Sequence, residues 1–357
     1  MAIRDETRML LESMTRLFED KSTKQVIDRA ETGVFAAELW QAVAETGVPL
    51  AALPESSGGA DAEWSDLFAV LRVAGRFSAP IPLAETMLAG WIAASAGLEP
   101  SDGPMTVGPV RAGDKLTLVR DGNGWRLSGI ASRLPYASHV GKSVLIADGP
   151  GGEMAVVLDG TGEAHVARGK NIANESRDTL TFDNVRISAD AAGALGDGVS
   201  RAALYRRGAL ARATMMSGAL ERALDLGVTY AQERVQFGRP ISKFQAVQQN
   251  LAVLAGQTAA AVASANLAIA ALGTSREEFL IAVAKTRVGE AATLASEIAH
   301  QVHGAIGFTK EYALQLSTRR LWSWREEFGP DPEWAVRVGQ AACANGADDL
   351  WAMLTAA

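Results

Sequence analysis

The stretch from Tyr230 to Gln249, YAQERVQFGRPISKFQAVQQ, joins the end of one predicted helix to the start of another. Apolar residues recur every three to four positions before it and again from Phe244 onwards, which is typical of helical faces. The tripeptide Gly238-Arg239-Pro240 interrupts this spacing, because proline lacks an N–H donor and disfavours helical geometry in the residue before it. The sequence therefore predicts two helices with a short corner between them.

Three side chains at this corner have the chemistry of a ligand site. Arg234 offers a planar guanidinium, Phe237 an aromatic face, and Gln245 an amide at the start of the second helix. Guanidinium groups bind phosphates through paired hydrogen bonds, so this set fits a planar ligand that carries phosphates. An ordinary helix corner with a solvated arginine is the alternative interpretation of the same residues.

A second motif, QVHGAIGFT at residues 301–309, ends a predicted helix that begins near Arg276. Gly304 lies where the helical pattern stops, and glycine commonly ends helices. The small side chains of Gly304, Ala305 and Gly307 leave room for another backbone or a phosphate. The motif is therefore a second place where a phosphate-bearing ligand can approach the chain closely.

The chain strongly resembles the C-terminal domain of the FAD-dependent acyl-CoA dehydrogenases. The resemblance lies in the order and spacing of three segments, ERVQFGRPI, FQAVQ and QVHGAIGFTKEY. In that family, the Arg of the R-x-x-F-G element and the Gln of the Q-x-x-G element reach across a dimer interface to the FAD of the neighbouring subunit. The resemblance implies that Arg234 and Gln301 bind FAD. It places four further residues close to the cofactor: Phe237, Phe244, Gln245 and Gly304. Ala305 stands where the family usually has a second glycine.

Size and composition agree with the large enzyme that the resemblance implies. The chain has 357 residues, enough for two or three domains, and its net charge of −7 argues against nucleic acid as the main partner. No uninterrupted apolar run approaches the roughly 18–20 residues of a membrane span. The N-terminus is charged and amphipathic, so we expect no export signal. With Cys343 as the single cysteine, we expect a cytoplasmic protein in which that residue is buried.

The periodicity divides the chain into an α+β fold of three parts. Residues 1–102 carry helical spacing, with segments at 63–77 and 82–97, and G-V-P-L-A-A-L-P-E-x-x-G-G at 47–59 resembles the N-terminal helical domain of the same family. Residues 103–190 alternate in short runs around a hairpin at Asp121–Gly124, which predicts an antiparallel barrel or sandwich. A linker-like segment at 188–198 spans the next boundary, and residues 191–357 predict a bundle with long helices at 244–272 and 276–303.

The middle domain departs from the family pattern where the chain's own flavin would bind. Family members carry a Thr-Glu-Pro element with a Gly-Ser-Asp loop, and residues 106–114 keep no convincing copy of either. Members also carry an aromatic residue and a hydroxyl residue that cover the flavin. At 131–137 the aromatic is missing from its place, and Ser132 offers a hydroxyl. The part that would hold this chain's own flavin is thus degraded, whereas the part that completes a neighbour's flavin is retained.

The catalytic base is the second departure. Dehydrogenation of a thioester needs a carboxylate that removes the α-proton while hydride leaves Cβ for flavin N5. The resemblance aligns the family's common base position with Phe328 and its alternative position with Gly208, and neither residue is a carboxylate. The nearest carboxylates, Glu326 and Glu327, are the candidate base, with Glu327 first because it directly precedes the aligned position. Solvated charges at a helix end are the alternative interpretation.

Two functional classes follow. The resemblance, which covers nearly the whole chain, favours an acyl-CoA dehydrogenase of fatty acid or sterol side-chain catabolism, with an acceptor such as electron-transfer flavoprotein. The alternative is a non-catalytic subunit that completes the FAD site of a catalytic homologue. The second class resembles the short subunits of heterotetrameric dehydrogenases of sterol side-chain breakdown. Both classes imply an acyl-CoA substrate and a homo-oligomer or heterotetramer. A helical interaction protein without flavin is a third alternative. His300 and His303 alone do not predict a metal site.

Overall fold

The structure, a computed structural model, describes residues 4–355 apart from the side chains at 345, 349–350 and 353–354. Its N-terminal part is helical. The helices are α1 (Asp5–Lys21), α2 (Lys24–Glu31), α3 (Ala37–Ala44), α4 (Trp64–Arg76) and α5 (Leu83–Ser95). The last two confirm the helices predicted at 63–77 and 82–97.

Close backbone packing fixes these helices on the rest of the molecule. Gly75 on α4 lies so near the long helix α6 (Arg201–Glu233) that a Cβ added there would be 2.0 Å from Met215 O. A Cβ on Gly218 of α6 would likewise be 2.0 Å from Arg72 O. Only glycine permits so close an approach. The N-terminal part and the C-terminal bundle are therefore joined along one glycine-lined seam.

The middle part is an eight-stranded sheet. Its strands are β1 (Met105–Gly108), β2 (Leu116–Asp121), β3 (Gly124–Pro135), β4 (Lys142–Gly149), β5 (Gly152–Asp159), β6 (His165–Ala167), β7 (Arg177–Ile187) and β8 (Ala192–Ala194). The strand order is β6-β7-β3-β2-β4-β5-β8, and β1 pairs with β4 off this path. Asp121 pairs with Gly124, which confirms the predicted hairpin.

The sheet differs from the predicted one in two respects. It is mixed rather than purely antiparallel, because β1 runs parallel to β4 and the single β2–β4 pair is also parallel. The segment at 188–198 is more than a linker, since β8 adds an edge strand to β5. Strand direction and the pairing of a three-residue strand depend on distant parts of the chain, so local alternation does not reveal them.

The C-terminal part is a bundle of long helices. After α6 come α7 (Gln245–Ala270), α8 (Glu277–His303), α9 (Leu314–Arg325) and α10 (Asp331–Thr355), the last with a non-helical residue at Gly346. The bounds of α7 and α8 confirm the helices predicted at 244–272 and 276–303. One residue was predicted wrongly, because Cys343 is exposed on α10 rather than buried. Ala344, the next residue of α10, and Gly339 and Gln340, one turn earlier, are exposed as well.

The helix α7 has an apolar outer side. By length and composition it is the one helix within residues 4–355 that is apolar enough to cross a membrane, but it packs against α6 and α8 as bundle helices do. Val253 and Leu267 remain exposed on it. The predicted absence of a membrane span therefore stays a prediction.

Candidate functional site

The corner between α6 and α7 is a small hairpin whose side chains extend into solvent. Strands β9 (Val235–Gln236) and β10 (Arg239–Pro240) flank Phe237 and Gly238, which both have positive φ angles, 51° and 78°. Two such residues are the signature of the tight turn that suits a two-residue hairpin. The ring of Phe237 is 93% exposed and packs edge-on against Phe244, with the centroids 6.1 Å apart. The turn therefore exposes the aromatic ring of Phe237 to solvent.

The basic residues of the corner lie beside this face. The guanidinium of Arg239 lies over the Phe244 ring, 4.4 Å from its centroid. Arg234 is exposed directly after α6, and its backbone N–H donates to Tyr230 O at 2.9 Å. The backbone of the corner is therefore fixed, while the Arg234 side chain is open to solvent. Gln245, the first residue of α7, is exposed as well.

The second motif, at residues 301–309, also exposes side chains and backbone to solvent. Gln301 is exposed in the last turn of α8, and Gly304 ends the helix with φ 62° and ψ −143°. A Cβ added to Gly304 would meet nothing within 4 Å. In contrast, Gly307 is buried, and a Cβ there would lie 3.0 Å from that of His303. The exposed amide and the open backbone beside it are the parts that a ligand can reach.

A pair of stacked aromatic rings joins the motif that carries Arg234 to the motif that carries Gln301. Tyr230, one turn before Arg234, stacks on His303, two residues after Gln301, with ring centroids 4.7 Å apart. His303 Nδ1 donates to Ala299 O at 2.7 Å. Burial lowers the pKa of His303, so the stacked ring is neutral near neutral pH. The structure therefore brings Arg234 and Gln301 to the same end of the bundle.

These residues fit one half of an FAD site. An exposed guanidinium and an exposed amide lie at one end of the bundle, next to an aromatic ring and an open glycine. The donors suit a pyrophosphate, which accepts charge-assisted hydrogen bonds from guanidinium groups. All six residues predicted to lie near FAD are on these two motifs, namely Arg234, Phe237, Phe244, Gln245, Gln301 and Gly304. Their role in binding FAD stays a prediction.

The middle domain does not fit the other half of a flavin site. Ser132, the one hydroxyl residue proposed there, already bonds Asp114 through both its Oγ and its backbone N–H. Thr106 Oγ1 donates to Pro135 O at 2.6 Å. A Cβ on Gly108 would lie only 2.4 Å from Leu134 Cδ2, so this side chain fills the space between β1 and β3. Ser132, Thr106 and the space beside Gly108 are therefore occupied by contacts within the chain.

The two base positions of the family meet in this structure. Phe328 follows α9, and its ring lies on Gly208 of α6 so closely that a Cβ added to Gly208 would be 2.3 Å from Phe328 Cδ1. Phe328 is 3% exposed, and Tyr205 and Trp334 pack beside it. Trp334 Nε1 also donates to Phe328 O at 2.9 Å. An aromatic ring and a glycine therefore occupy together the space in which the resemblance places a carboxylate.

Glu327 is an ion-pair partner of two arginines. Its Oε1 accepts from Arg177 Nε at 2.7 Å, and its Oε2 accepts from Arg212 Nε at 2.6 Å. Burial alone would raise the pKa of Glu327, but the two guanidinium groups outweigh it and lower the pKa to about 2. A general base works best when its pKa lies near the operating pH, so this environment disfavours the predicted role. Glu326 is exposed, as the solvated-charge interpretation requires, whereas Glu327 is neither solvated nor unpaired.

The arginines belong to a larger buried cluster that sequence reasoning missed. Arg212 also pairs with Glu85 of α5, and Arg177 pairs with Glu175 at 3.0 Å. Arg320 of α9 lies 3.1 Å from the other oxygen of Glu175. The cluster thus links the N-terminal helices, the sheet and the bundle. One signal was available in the sequence, because Glu85 and Arg212 are single charges within apolar helical stretches, and a buried charge needs a partner.

The histidines have partners within the protein. His300 stacks on Phe308 with the centroids 4.2 Å apart, and its Nε2 lies 2.9 Å from Thr318 Oγ1. Among the described residues, no group of three or more His, Cys, Asp or Glu side chains is placed to hold a metal ion.

Comparison with known proteins finds a family-model match for the N-terminal part and another for the C-terminal part of the chain. Residues 4–99 match the model of the acyl-CoA dehydrogenase N-terminal domain, and residues 198–331 match that of the acyl-CoA dehydrogenase C-terminal domain. The chain is 27% identical over 341 residues to acyl-CoA dehydrogenase IpdE2 of Mycolicibacterium smegmatis, covering 94% of this chain and 98% of that protein.

Solved structures share the whole fold. The ChsE4-ChsE5 complex from Mycobacterium tuberculosis superposes with a TM-score of 0.87 at 22% identity, covering 97% of this chain and 99% of that one. A variant of the Tcur3481-Tcur3483 steroid ACAD superposes with a TM-score of 0.82 at 27% identity, covering 96% and 99%. The fold, the two domain matches and the full-length relative agree, and the chain belongs to the acyl-CoA dehydrogenase family.

Proposed function

We propose that this chain is a non-catalytic subunit of a heteromeric acyl-CoA dehydrogenase and that it completes the FAD site of a homologous catalytic subunit. The observation that carries the proposal is the contact of Phe328 with Gly208, which fills both base positions of the family with apolar atoms. A homologous subunit supplies the base and the flavin-binding middle domain. This chain supplies Arg234 and Gln301.

The chemistry divides between the two subunits. FAD, when bound, supplies the acceptor for the hydride that leaves the acyl-CoA. Arg234 binds the pyrophosphate by charge-assisted hydrogen bonds, and Gln301 adds amide hydrogen bonds from the end of α8. Phe237 would contact the bound cofactor with its exposed ring. These contacts position the flavin and remove no proton from the substrate.

The relatives support the heteromeric assignment and the substrate class. ChsE4-ChsE5 is a complex of two differently named chains, and Tcur3481-Tcur3483 is a steroid dehydrogenase of the same kind. We therefore propose a CoA thioester of fatty acid or sterol side-chain catabolism as the substrate of the assembly. We also propose that the assembly passes electrons to an acceptor such as electron-transfer flavoprotein. Its proposed location is the cytoplasm.

A second candidate is that the chain is itself a dehydrogenase. Glu327 directly precedes the aligned base position, and its side chain retains 12% exposure despite its two arginine partners. This candidate requires the carboxylate to leave both guanidinium groups before it acts as a base. Its pKa of about 2 shows how strongly the pairing favours the ionised, paired state.

Cofactor stoichiometry distinguishes the two candidates. The chain is purified alone and with a co-expressed homologous subunit, and flavin absorbance is compared with protein concentration. We expect no FAD with the chain alone and one FAD per two chains in the complex. A chain that purifies alone with one FAD each, bleached by an acyl-CoA, would overturn the proposal.

A variant of Glu327 tests the base directly. General-base catalysis contributes typically about 10²–10⁴-fold to a rate, so loss of a true base is easily measured. We expect the Glu327→Gln complex, with its FAD retained, to keep activity within about threefold of the wild type per assembled complex. Glu326→Gln is the matched control at the neighbouring exposed carboxylate. A fall of about a hundredfold in Glu327→Gln alone would make Glu327 the base.

A further inference from the structure

A cavity of about 430 Å³ lies where the three parts of the chain meet. Its walls are residues 30–35 at the end of α2 and beyond it, Pro80, the segment 136–139 after β3, residues 168–178 around the start of β7, and Arg320 of α9. Small-molecule sites commonly have volumes of about 300–1,000 Å³. The cavity is therefore large enough for a small organic ligand.

The carboxylates in the wall are already satisfied. Both oxygens of Glu31 accept from Arg319 Nη2 at 2.7 Å. Glu175 pairs with Arg177, and Asp178 accepts two backbone N–H groups at 2.9 and 3.2 Å. Because these acceptors have their donors, they do not require a basic ligand.

One donor in the cavity wall, in contrast, is left without an acceptor. The Arg320 side chain is fully buried, and its Nη1 donates to Leu316 O at 3.0 Å. Its Nε lies 3.1 Å from Glu175 Oε1, whereas its Nη2 has no hydrogen-bond partner within residues 4–355, and a buried N–H group without an acceptor is costly. His139 is not a second such donor, because its Nε2 donates to Gly33 O at 3.2 Å, which leaves Nδ1 of the neutral ring as an acceptor. The cavity wall therefore lacks an acceptor at Arg320.

Another part of the wall carries an aromatic stack and apolar side chains. The ring of Phe35 stacks over the imidazole of His139, with the centroids 6.2 Å apart and the planes 25° apart. Val34 and Pro80 continue this wall. A cavity with one buried cationic donor and an aromatic wall has the usual character of a site for a small acid, in which few polar groups orient an apolar body.

We propose that this cavity binds a small carboxylic acid with a planar apolar body. The carboxylate accepts from Arg320 Nη2, and the body lies against Phe35 and Pro80. Binding is non-covalent and uses none of the residues proposed to contact FAD. The inference therefore goes beyond the proposed function, and each can fail without the other.

Benzoate is the probe, because it has a carboxylate on a planar ring. It is titrated by calorimetry into the purified protein in the assembly in which it is stable, with benzamide and acetate as matched ligands. We expect benzoate to bind at least about tenfold more tightly than benzamide, which lacks the charge that strengthens hydrogen bonds to guanidinium. Acetate, which lacks the ring, should bind at least about tenfold more weakly. Equal affinity for benzoate and either of the other two would overturn the inference.

Two variants locate the site. Arg320→Lys keeps the charge but loses the planar fork, so benzoate should bind at least about tenfold more weakly. The matched control is Arg325→Lys on the same helix, which should leave benzoate affinity within about twofold because Arg325 pairs with Asp331 and neither residue lines the cavity. Phe35→Ala, with circular dichroism to check folding, tests the aromatic wall if Arg320→Lys does not fold. Benzoate binding that survives in every folded variant would also overturn the inference.

Discussion

The corner at Arg234 and the centre around Phe328 are built from the same kinds of side chains, and they differ in what those side chains contact. At the corner, Arg234 is exposed and the Phe237 ring is in solvent. In the centre, Arg212 and Glu327 pair with each other, and the Phe328 ring fills the space beside them. Groups that the fold leaves unpaired are available to a ligand, whereas groups that it pairs internally hold the fold together.

This difference predicts two kinds of mutational effect. A buried charge that loses its partner destabilises the fold, because its desolvation is no longer compensated. An exposed charge can be removed with little change in stability, because water replaces its contacts. Substitutions in the centre should therefore act on folding, and substitutions at the corner should act on the cofactor and on assembly.

The largest effect is expected at Glu327. Glu327→Gln leaves Arg177 and Arg212 without their shared carboxylate, and breaking such a buried pair costs about 3–5 kcal/mol. Urea denaturation at pH 7 measures this loss in the free energy of unfolding. The control is Glu326→Gln, which should change stability by less than about 0.5 kcal/mol because Glu326 is exposed.

The same variant predicts a pH dependence. The folded-state pKa of Glu327 is about 2, below the ordinary value, so its ionised form stabilises the folded protein. This contribution is complete above about pH 4.3, the usual pKa of an unfolded glutamate, and is lost as the pH falls to about 2. The stability difference between wild type and Glu327→Gln should therefore shrink between these values. A difference that stays constant there would contradict the ion-pair assignment.

The next effect concerns the cofactor. Arg234→Ala removes a charge-assisted hydrogen bond worth about 1.5–3 kcal/mol, so FAD affinity of the complex should fall about tenfold to a hundredfold. Thermal unfolding of the chain alone should stay unchanged, because Arg234 is exposed. Arg234→Lys keeps the charge and should lose less affinity. Unaltered FAD occupancy in Arg234→Ala, measured by absorbance against protein, would reject the corner as a flavin site.

A smaller effect tests the contact that fills the base positions. The Cβ of Gly208→Ala would lie 2.3 Å from Phe328 Cδ1, and such overpacking costs about 1–3 kcal/mol. The cost should fall when Phe328→Leu is made in the same chain. Gly339→Ala on α10 is the control, since its Cβ meets nothing within 4 Å and should stabilise the helix by up to about 1 kcal/mol. An equal cost with Leu at 328 would place the strain elsewhere.

The helices and the hairpin were predictable because their signals are local. The apolar spacing that bounds α7 and α8 and the turn at Asp121–Gly124 are properties of a few neighbouring residues. The parallel pairing of β1 with β4 was not predictable, because no feature of either strand specifies its partner. The resemblance to a family carried the prediction of Arg234 and Gln301, which spacing alone left open.

The centre shows why the site was only partly predictable. Sequence reasoning weighed Glu327 as a base or as a solvated charge, and the structure gives it a third environment between two arginines. Those partners lie 115 and 150 positions away, so no local pattern connects them to it. A lone Arg212 within an apolar helix indicated that a partner exists. Only the packing of α6 against α5 and the end of α9 shows which carboxylates it meets.

The smallest effect on stability is expected at Phe237, where the corner differs most from the centre. Its ring is 93% exposed, so Phe237→Ser should change the free energy of unfolding of the chain by less than about 0.5 kcal/mol. The same exposure makes the ring available to another subunit, so the variant should weaken association in sedimentation at micromolar concentration. Val119→Ser, which removes an exposed apolar side chain from β2, is the matched control and should leave association unchanged. A Phe237→Ser chain that associates as strongly as wild type, or a wild-type chain that is a stable monomer even with its homologous subunit present, would remove the corner from the interface. The corner and the centre would then no longer differ in the way proposed, because the exposed Phe237 ring would have no binding partner.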